Sequence, residues 1–189
     1  MNLPNKLTIG RICMIPLFVL AIHGYDFGWY DMQTARTVAV GIFALAAITD
    51  FFDGYLARKM GLITDFGKFM DPLADKILVM AAMVYMVWLG DISPWILIVI
   101  ESREFIIAGL RMMAAQNNIV IAAGFWGKGK TVTQMAMIML VLLNIDHPAA
   151  FWGGQILIYA CVLLTIFSAI DYGIKYKKQQ AKEKDYEQS

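Results

Sequence analysis

Apolar and polar residues alternate in blocks along this 189-residue chain. Six apolar stretches, at residues 9–23, 35–58, 71–89, 94–115, 131–145 and 151–172, are separated by polar clusters. A helix needs about 20 residues to cross roughly 30 Å of hydrocarbon, and backbone groups in lipid must bond within their own segment. The pattern predicts an all-α integral membrane protein with six transmembrane helices. Residues 2–8 are a candidate for a short interfacial helix before the first span.

The composition agrees with this pattern, because 59% of the residues are hydrophobic and only 16% are charged. That apolar share is well above the average for a soluble globular domain. Nothing along the chain indicates a second domain, so a single membrane domain over residues 1–189 is expected, with a basic tail at 173–189. Cys13 and Cys161 each lie in an apolar stretch and are interpreted as packing residues. No nucleic-acid partner is expected.

The segments between the apolar stretches alternate in charge. Basic residues concentrate in one set, at Lys6, Arg11, Arg58, Lys59, Lys68, Arg111, Lys128, Lys130 and the tail lysines. The other set carries Asp26, Asp31, Asp91 and Asp146, with Arg36 as its basic neighbour. Cytoplasmic loops of membrane proteins carry the excess of lysine and arginine. Both termini and the segments 58–70 and 111–130 are therefore expected in the cytoplasm.

Four aspartates lie at the expected cytoplasmic ends of the second and third spans. Asp50 and Asp53 are three residues apart and Asp71 and Asp75 are four apart, so each pair shares one face of a helix. Two helices joined by a loop of about twelve residues are expected to be antiparallel neighbours, which would bring the carboxylates together. Carboxylates that close repel one another unless divalent cations intervene. Oxygen ligands suit magnesium or manganese, and two such cations can clamp a diphosphate.

The residues around these aspartates fit the same interpretation. Gly54 and Ala57 remove side-chain bulk on the acidic face, which would let a nucleotide approach the backbone. Arg58 is placed to bind phosphate oxygens in a bidentate manner. Asp71 followed by Pro72 predicts a helix N-cap with proline at the first helical position.

The stretch 50–75 matches the signature D-x2-D-G-x2-A-R-x8-G-x3-D-x3-D at every fixed position. On these residues the chain resembles the CDP-alcohol phosphotransferase family, and its six-span pattern is similar to that family as well. The resemblance implies that the metal ligands are Asp50, Asp53, Asp71 and Asp75, the last also acting as general base. It further implies that the CDP moiety is held by Gly54, Ala57, Arg58 and Gly67.

By the same resemblance, an acceptor hydroxyl attacks the lipid-bearing phosphate of CDP-diacylglycerol, and CMP leaves. The site would hold two divalent cations, Mg²⁺ or Mn²⁺, at the cytoplasmic interface, where a polar nucleotide and a lipid can meet. The family resemblance also leads us to expect a homodimer in the inner (plasma) membrane of a bacterial cell, in contact with membrane lipids.

The acceptor is suggested by cations in the second half of the chain. Arg103, Arg111, Lys128 and Lys130 would form a basic pocket suited to a phosphorylated acceptor. The runs 102–105 and 110–111, with the opening residues 3–5, 8 and 11, resemble the phosphatidylglycerophosphate synthase branch of the family, which implies sn-glycerol 3-phosphate. Asn5, Thr8 and Arg11 would contact the nucleotide or cap the first helix.

Other interpretations of these residues remain open. Arg103 would otherwise pair internally with Glu101 or Glu104, and Lys128 and Lys130 would be cytoplasmic anchors. Inositol phosphate needs the same cations as glycerol 3-phosphate and is the alternative acceptor. A divalent-cation transporter, with the aspartates as a transit site, would need acidic groups near the bilayer midplane or on both sides. A lipid-binding scaffold without chemistry is the third alternative.

Overall fold

The computed structural model describes the backbone of residues 3–60, 65–116 and 124–187, and the side chains of residues 10–49, 73–74, 76–114 and 124–179. Over these residues the chain forms six helices and no strand. They are α1 (Leu3–His23), α2 (Met32–Met60), α3 (Asp65–Trp88), α4 (Pro94–Gln116), α5 (Phe125–Leu143) and α6 (Pro148–Glu187). The predicted all-helical architecture is confirmed.

Two of the described helices are long and apolar enough to cross a membrane. These are α2 over Met32–Thr49 and α6 over Pro148–Gln179. Shorter apolar segments lie in α1 (Gly10–His23) and α3 (Lys76–Trp88). Helices of this length and composition support a membrane protein.

The first and third helices begin earlier than the sequence suggested. α1 runs without a break from Leu3, so the separate interfacial helix over residues 2–8 is wrong. Pro4 falls in the first turn, where the missing N–H costs nothing because it would have no partner within the helix. α3 begins at Asp65 and continues through Pro72, so Asp71 lies inside the helix and the N-cap prediction is wrong. Proline has a helical φ and is tolerated in membrane helices when neighbouring groups satisfy the freed carbonyl.

The fifth helix also begins early, at Phe125 rather than at residue 131. Lys128 and Lys130 therefore lie within α5 and not before it. Gly127 and Gly129 do not interrupt the helix, although glycine lowers helix propensity by about 1 kcal/mol relative to alanine. Contacts of this turn with α4 and α6 compensate for the lower helix propensity of the two glycines.

The chain folds into two compact units. The first unit contains Met1–Asp91 and Ile138–Phe151, and the second contains Ile92–Met137 and Trp152–Ser189. In the first unit α1 packs against α2 and α3, and α2 packs against α3. One buried stripe of α2 consists of Ala35, Ala39, Phe43 and Ala46. Residues three or four apart share a helical face, and small side chains there let neighbouring helices approach closely.

A buried ion pair ties three segments of the first unit together. Arg36 at the start of α2 donates to both carboxylate oxygens of Asp91, at 2.7 and 2.9 Å, and to the carbonyl of Leu142 at 3.3 Å. Asp91 follows Gly90, whose φ of 79° is the left-handed conformation that ends many helices. The glycine thus turns the chain after α3 so that the aspartate faces the arginine.

We expect Asp91→Asn to lower the free energy of unfolding by about 1.5 kcal/mol, because a charge-assisted hydrogen bond to a buried arginine becomes a neutral one. The measurement is thermal unfolding of the purified protein in detergent. Asp26→Asn is the matched control, since the His23–Asp26 pair is 40% exposed on each side and such pairs contribute little. Equal stability of Asp91→Asn and Asp26→Asn would contradict the role given to the buried pair.

The second unit is built from α4, the first part of α5 and most of α6. Trp126 of α5 packs on Phe167 of α6 with ring centroids 5.8 Å apart, and Gly124 lies against Asp171. Later residues of α5 therefore meet earlier residues of α6, as in antiparallel neighbours. α5 also contacts α4, where Lys130 meets Glu104.

Candidate active site

The signature residues lie on two helices of the first unit that pack against each other. Five positions, Asp50, Asp53, Gly54, Ala57 and Arg58, are in the last turns of α2, and three, Gly67, Asp71 and Asp75, are in the first turns of α3. α2 ends at Met60 and α3 begins at Asp65, so the connection is shorter than the loop of about twelve residues that the sequence suggested. The side chains of all eight lie outside the described residues, and their convergence stays a prediction.

Helical register shows which faces carry the four acidic positions. On α2 the buried stripe includes Phe43 and Ala46, and positions 50 and 53 follow each of these by seven residues, or two turns. On α3 the buried stripe includes Leu78 and Ala82, and positions 71 and 75 precede these by seven residues each. Each acidic pair therefore continues the buried stripe of its own helix.

The donor chemistry of this set fits a divalent cation. Four carboxylates on two packed helices supply only oxygen ligands, which magnesium and manganese prefer. Among the described side chains no group of three His, Cys, Asp or Glu is placed to hold a metal ion, and the four aspartates are outside that set. Thr49, which precedes Asp50, bonds back to the carbonyls of Leu45 and Ala46 at 3.0 and 2.8 Å.

The N-terminal residues with a suggested nucleotide contact lie within α1. Asn5, Thr8 and Arg11 all follow the start of the helix at Leu3, so none of them precedes its first turn as an N-cap does. The side chains of Asn5 and Thr8 are outside the described residues, and their contact with the nucleotide stays a prediction. Arg11 is buried.

A second polar cluster lies in the other unit and contains two of the four cations assigned to the acceptor. Arg103 Nη1 and Lys130 Nζ donate to the same oxygen, Oε1 of Glu104, at 2.6 and 2.8 Å. Arg103 Nε donates to Ser168 Oγ at 2.9 Å. The side chain of Lys130 is only 3% exposed. The internal pairing of Arg103 with Glu104 is thus confirmed, and Lys130 is not an exposed anchor.

The other two cations of that set are exposed. The guanidinium carbon of Arg111 lies 5.6 Å from the ring centroid of Tyr172, a distance typical of a cation–π contact. Tyr172 is buried, while Lys128 on α5 is exposed. Arg111 and Lys128 thus leave their charge accessible, whereas Arg103 and Lys130 share a carboxylate.

One tight contact lies beside this cluster, at the start of α5. A Cβ atom on Gly124 would come within 2.5 Å of Asp171 Oδ2 and 2.7 Å of Lys175 Nζ, which form an ion pair 2.6 Å long. No side chain fits between these groups and the backbone. Glycine at this position therefore lets α5 begin directly against α6.

Three contributors to the second cluster were missed or left open by sequence reasoning. Glu104 was considered only as a partner of Arg103, not of Lys130, and Ser168 and Tyr172 were not singled out. Ser168 and Tyr172 lie one turn apart on α6, 65 and 61 residues after the arginines that they contact. Ser102-Arg103-Glu104 is a charged run within an apolar helix, and such groups normally face protein. This charged run was the feature of the sequence that indicated a polar cluster inside the protein.

Comparison with known proteins gives a consistent result over most of the chain. A family model described as CDP-alcohol phosphatidyltransferase matches residues 1–167. The chain is 39% identical over 179 residues to the CDP-diacylglycerol--glycerol-3-phosphate 3-phosphatidyltransferase of Bacillus subtilis, covering 90% of this chain and 93% of the relative.

Two further relatives cover nearly as much. A probable phosphatidylglycerophosphate synthase of Mycobacterium tuberculosis is 40% identical over 171 residues, or 90% of this chain and 79% of the relative. A Haemophilus influenzae protein with the same name as the Bacillus enzyme is 38% identical over 176 residues, or 90% and 91%. With a complete signature on two packed helices and a family match that spans both units, the chain belongs to the CDP-alcohol phosphatidyltransferase family.

Proposed function

We propose that this protein transfers the phosphatidyl group of CDP-diacylglycerol to sn-glycerol 3-phosphate, which gives phosphatidylglycerophosphate and CMP in phospholipid biosynthesis. The observation that carries the proposal is the identity of 39% to a Bacillus enzyme named for this reaction, over 90% of the chain. The complete signature at residues 50–75 supports the donor half of the reaction. The cations of the second unit support a phosphorylated acceptor.

The donor site is proposed on the first unit. Asp50, Asp53, Asp71 and Asp75 would hold two Mg²⁺ or Mn²⁺ ions. The CDP moiety would contact Gly54, Ala57, Arg58, Gly67, Asn5 and Thr8. The register of α2 and α3 supports this, because each acidic pair continues a stripe that is buried between helices. When bound, the cations would neutralise the negative charge of the diphosphate. Arg58 would contribute a fixed, bidentate donor to the same oxygens.

The reaction is a displacement at phosphorus. A hydroxyl oxygen of the acceptor forms a bond to the lipid-bearing phosphorus, and the bond from that phosphorus to the bridging oxygen breaks. CMP leaves with the bridging oxygen and its electron pair. Asp75 accepts the hydroxyl proton as the new bond forms, which is the role of a general base. The balance requires no oxidant, reductant or further reactant.

The acceptor is proposed to bind in the second unit through its phosphate. Arg111 and Lys128 carry exposed positive charge, and Arg103 and Lys130 add two cations around Glu104. A dianionic phosphate gains from several such donors, whereas a zwitterionic acceptor such as serine offers a single negative charge and gains less. Inositol phosphate would use the same groups and is the alternative that the experiment must separate.

The membrane arrangement is part of the proposal. Six helices cross the plasma membrane of a bacterial cell as one domain, with both termini and the active site in the cytoplasm. The alternating charge of the connecting segments supports this orientation. The family resemblance is the basis for a homodimer.

The deciding experiment uses the purified full-length protein in detergent with CDP-diacylglycerol labelled in the CMP moiety. We expect CMP release that requires both glycerol 3-phosphate and Mg²⁺ or Mn²⁺, and that stops when EDTA is added. Parallel reactions with inositol phosphate and serine test the acceptor. If CMP is released with inositol phosphate but not with glycerol 3-phosphate, inositol phosphate is the acceptor. If no CMP is released under any condition, the proposed enzymatic activity is contradicted.

A further inference from the structure

The four cations of the second unit fall into two pairs with different surroundings. Arg111 and Lys128 are exposed, and neither is within hydrogen-bonding distance of a carboxylate among the described residues. Arg103 and Lys130 meet at one oxygen of Glu104, and their side chains are only 12% and 3% exposed. This trio carries a net charge of +1, because the carboxylate of Glu104 offsets one of the two cations.

The hydrogen bonds of Arg103 fix the plane of its guanidinium group. Nε donates to Ser168 Oγ at 2.9 Å, and Nη1 donates to Glu104 Oε1 at 2.6 Å. Nη2 makes no hydrogen bond within the part of the chain that the structure describes. It lies beside Gly127, where an added Cβ atom would be 3.6 Å away. The N–H groups of Nη2 therefore remain for an anion, in a direction set by the other two nitrogens.

Both partners of Arg103 are themselves held in place. Ser168 donates its hydroxyl proton to the carbonyl of Thr165 at 2.9 Å and is buried, so its oxygen lone pair faces the arginine. Glu104 is held from the opposite side by Lys130, whose Nζ lies 2.8 Å from the shared oxygen. A buried lysine of this kind depends on its carboxylate, because an isolated buried charge is costly.

We propose that Glu104 and Ser168 are positioning residues that orient Arg103 so that its Nη2 meets the phosphate of the acceptor, with Lys130 as the buried counter-ion of Glu104. The inference rests on the proposed function, since it concerns the acceptor of that reaction. It makes Lys130 act through Glu104 rather than through direct contact with phosphate. Arg111 and Lys128 remain the directly accessible cations.

The role of Glu104 can be tested because positioning and net charge predict opposite results. Removing a carboxylate near an anion site strengthens phosphate binding if only the summed charge matters. If Glu104 instead holds Arg103 in place, its removal lets the guanidinium turn away and weakens binding. We therefore expect Glu104→Gln to raise the Kd for glycerol 3-phosphate by about tenfold, which corresponds to about 1.4 kcal/mol.

The measurement is calorimetric titration of the purified full-length protein in detergent with glycerol 3-phosphate, together with KM values for both substrates. Glu104→Gln should raise the KM for glycerol 3-phosphate and leave the KM for CDP-diacylglycerol within about twofold. Asp171→Asn is the matched control, since it makes the same charge change in the same unit at a carboxylate that pairs with Lys175. The control should leave the Kd unchanged or lower it.

Ser168→Ala provides a second variant without any charge change. It removes the acceptor for Arg103 Nε, together with the bond that the same hydroxyl donates to the carbonyl of Thr165 within α6. Only the first of these bonds reaches Arg103, so we expect a rise of about threefold in the same Kd, consistent with a hydrogen bond of modest net strength. This variant decides the question if Glu104→Gln does not fold. Glu104→Asp keeps the carboxylate on a shorter side chain and should retain part of the affinity that Glu104→Gln loses.

The outcomes separate this inference from the proposed function. A wild-type protein that binds glycerol 3-phosphate but transfers nothing to it would contradict the proposed function, and the effects of Glu104→Gln and Ser168→Ala on Kd would still support the positioning role. An unchanged or lower Kd in Glu104→Gln, or an unchanged Kd in Ser168→Ala, would overturn that role while transfer by the wild type stands. A wild type that does not bind glycerol 3-phosphate would overturn both.

Discussion

Replacing Asp75 by asparagine is expected to reduce CMP formation by about 10²–10⁴-fold, the usual contribution of a general base. Asparagine has nearly the same size and still offers an oxygen to a cation, but it cannot accept the proton of the acceptor hydroxyl. Binding of CDP should therefore change little. The measurement is single-turnover CMP release from labelled CDP-diacylglycerol, with CDP affinity determined separately by calorimetry.

Asp65→Asn is the control for this variant, because Asp65 begins the same helix and occupies a variable position of the signature. It should retain turnover close to that of the wild type. If Asp75→Asn lost CDP binding and turnover to the same extent, Asp75 would serve only as a cation ligand and the general base would have to be another group. The register of α3 makes the base assignment physically reasonable, since position 75 continues the buried stripe through Leu78 and Ala82.

Removal of the Arg111 side chain is expected to raise the KM for glycerol 3-phosphate by about 10- to 100-fold, or roughly 1.4–2.8 kcal/mol of lost binding. Arg111 is exposed and its guanidinium group rests over the buried ring of Tyr172, so its charge is both accessible and oriented. Arg111→Ala should leave the KM for CDP-diacylglycerol within about twofold, because the substitution removes a contact with glycerol 3-phosphate and none with the other substrate.

Two variants make the Arg111 result specific. Arg111→Lys keeps the charge but not the planar fork, so we expect an intermediate KM for glycerol 3-phosphate. Lys177→Ala removes an exposed cation five residues beyond Tyr172 on α6 and should have little effect. A larger rise in the KM for CDP-diacylglycerol than in the KM for glycerol 3-phosphate would indicate that Arg111 binds the nucleotide and not the acceptor.

The helix boundaries show where local sequence signals and tertiary context diverged. Asp71-Pro72 is a strong local signal for a helix start, yet α3 begins six residues earlier, at Asp65. The fifth apolar stretch likewise begins at residue 131, yet α5 begins at Phe125. At this turn the packing of Trp126 on Phe167 and of Gly127 beside Arg103 supplies contacts that helix propensity does not include.

The pairing of charges was the part that spacing could not predict. Spacing showed that Arg103 is next to Glu104, but it did not show that Lys130, 26 residues later, would share the same carboxylate oxygen. The sequence therefore predicted one basic pocket of four cations and left open which of them pair internally. The described side chains divide them into two that are exposed, Arg111 and Lys128, and two that share the Glu104 carboxylate and are 12% and 3% exposed.

The sequence by itself determined the helical class and the family, because both depend on properties that repeat or stand close along the chain. Apolar blocks of bilayer length predict spanning helices, and aspartates three or four residues apart share one face of any helix, whatever it packs against. The tertiary structure alone decided which charges neutralise each other. Arg36 meets Asp91 across 55 residues and Lys130 meets Glu104 across 26. Such contacts arise from helix packing, which distance along the chain does not encode.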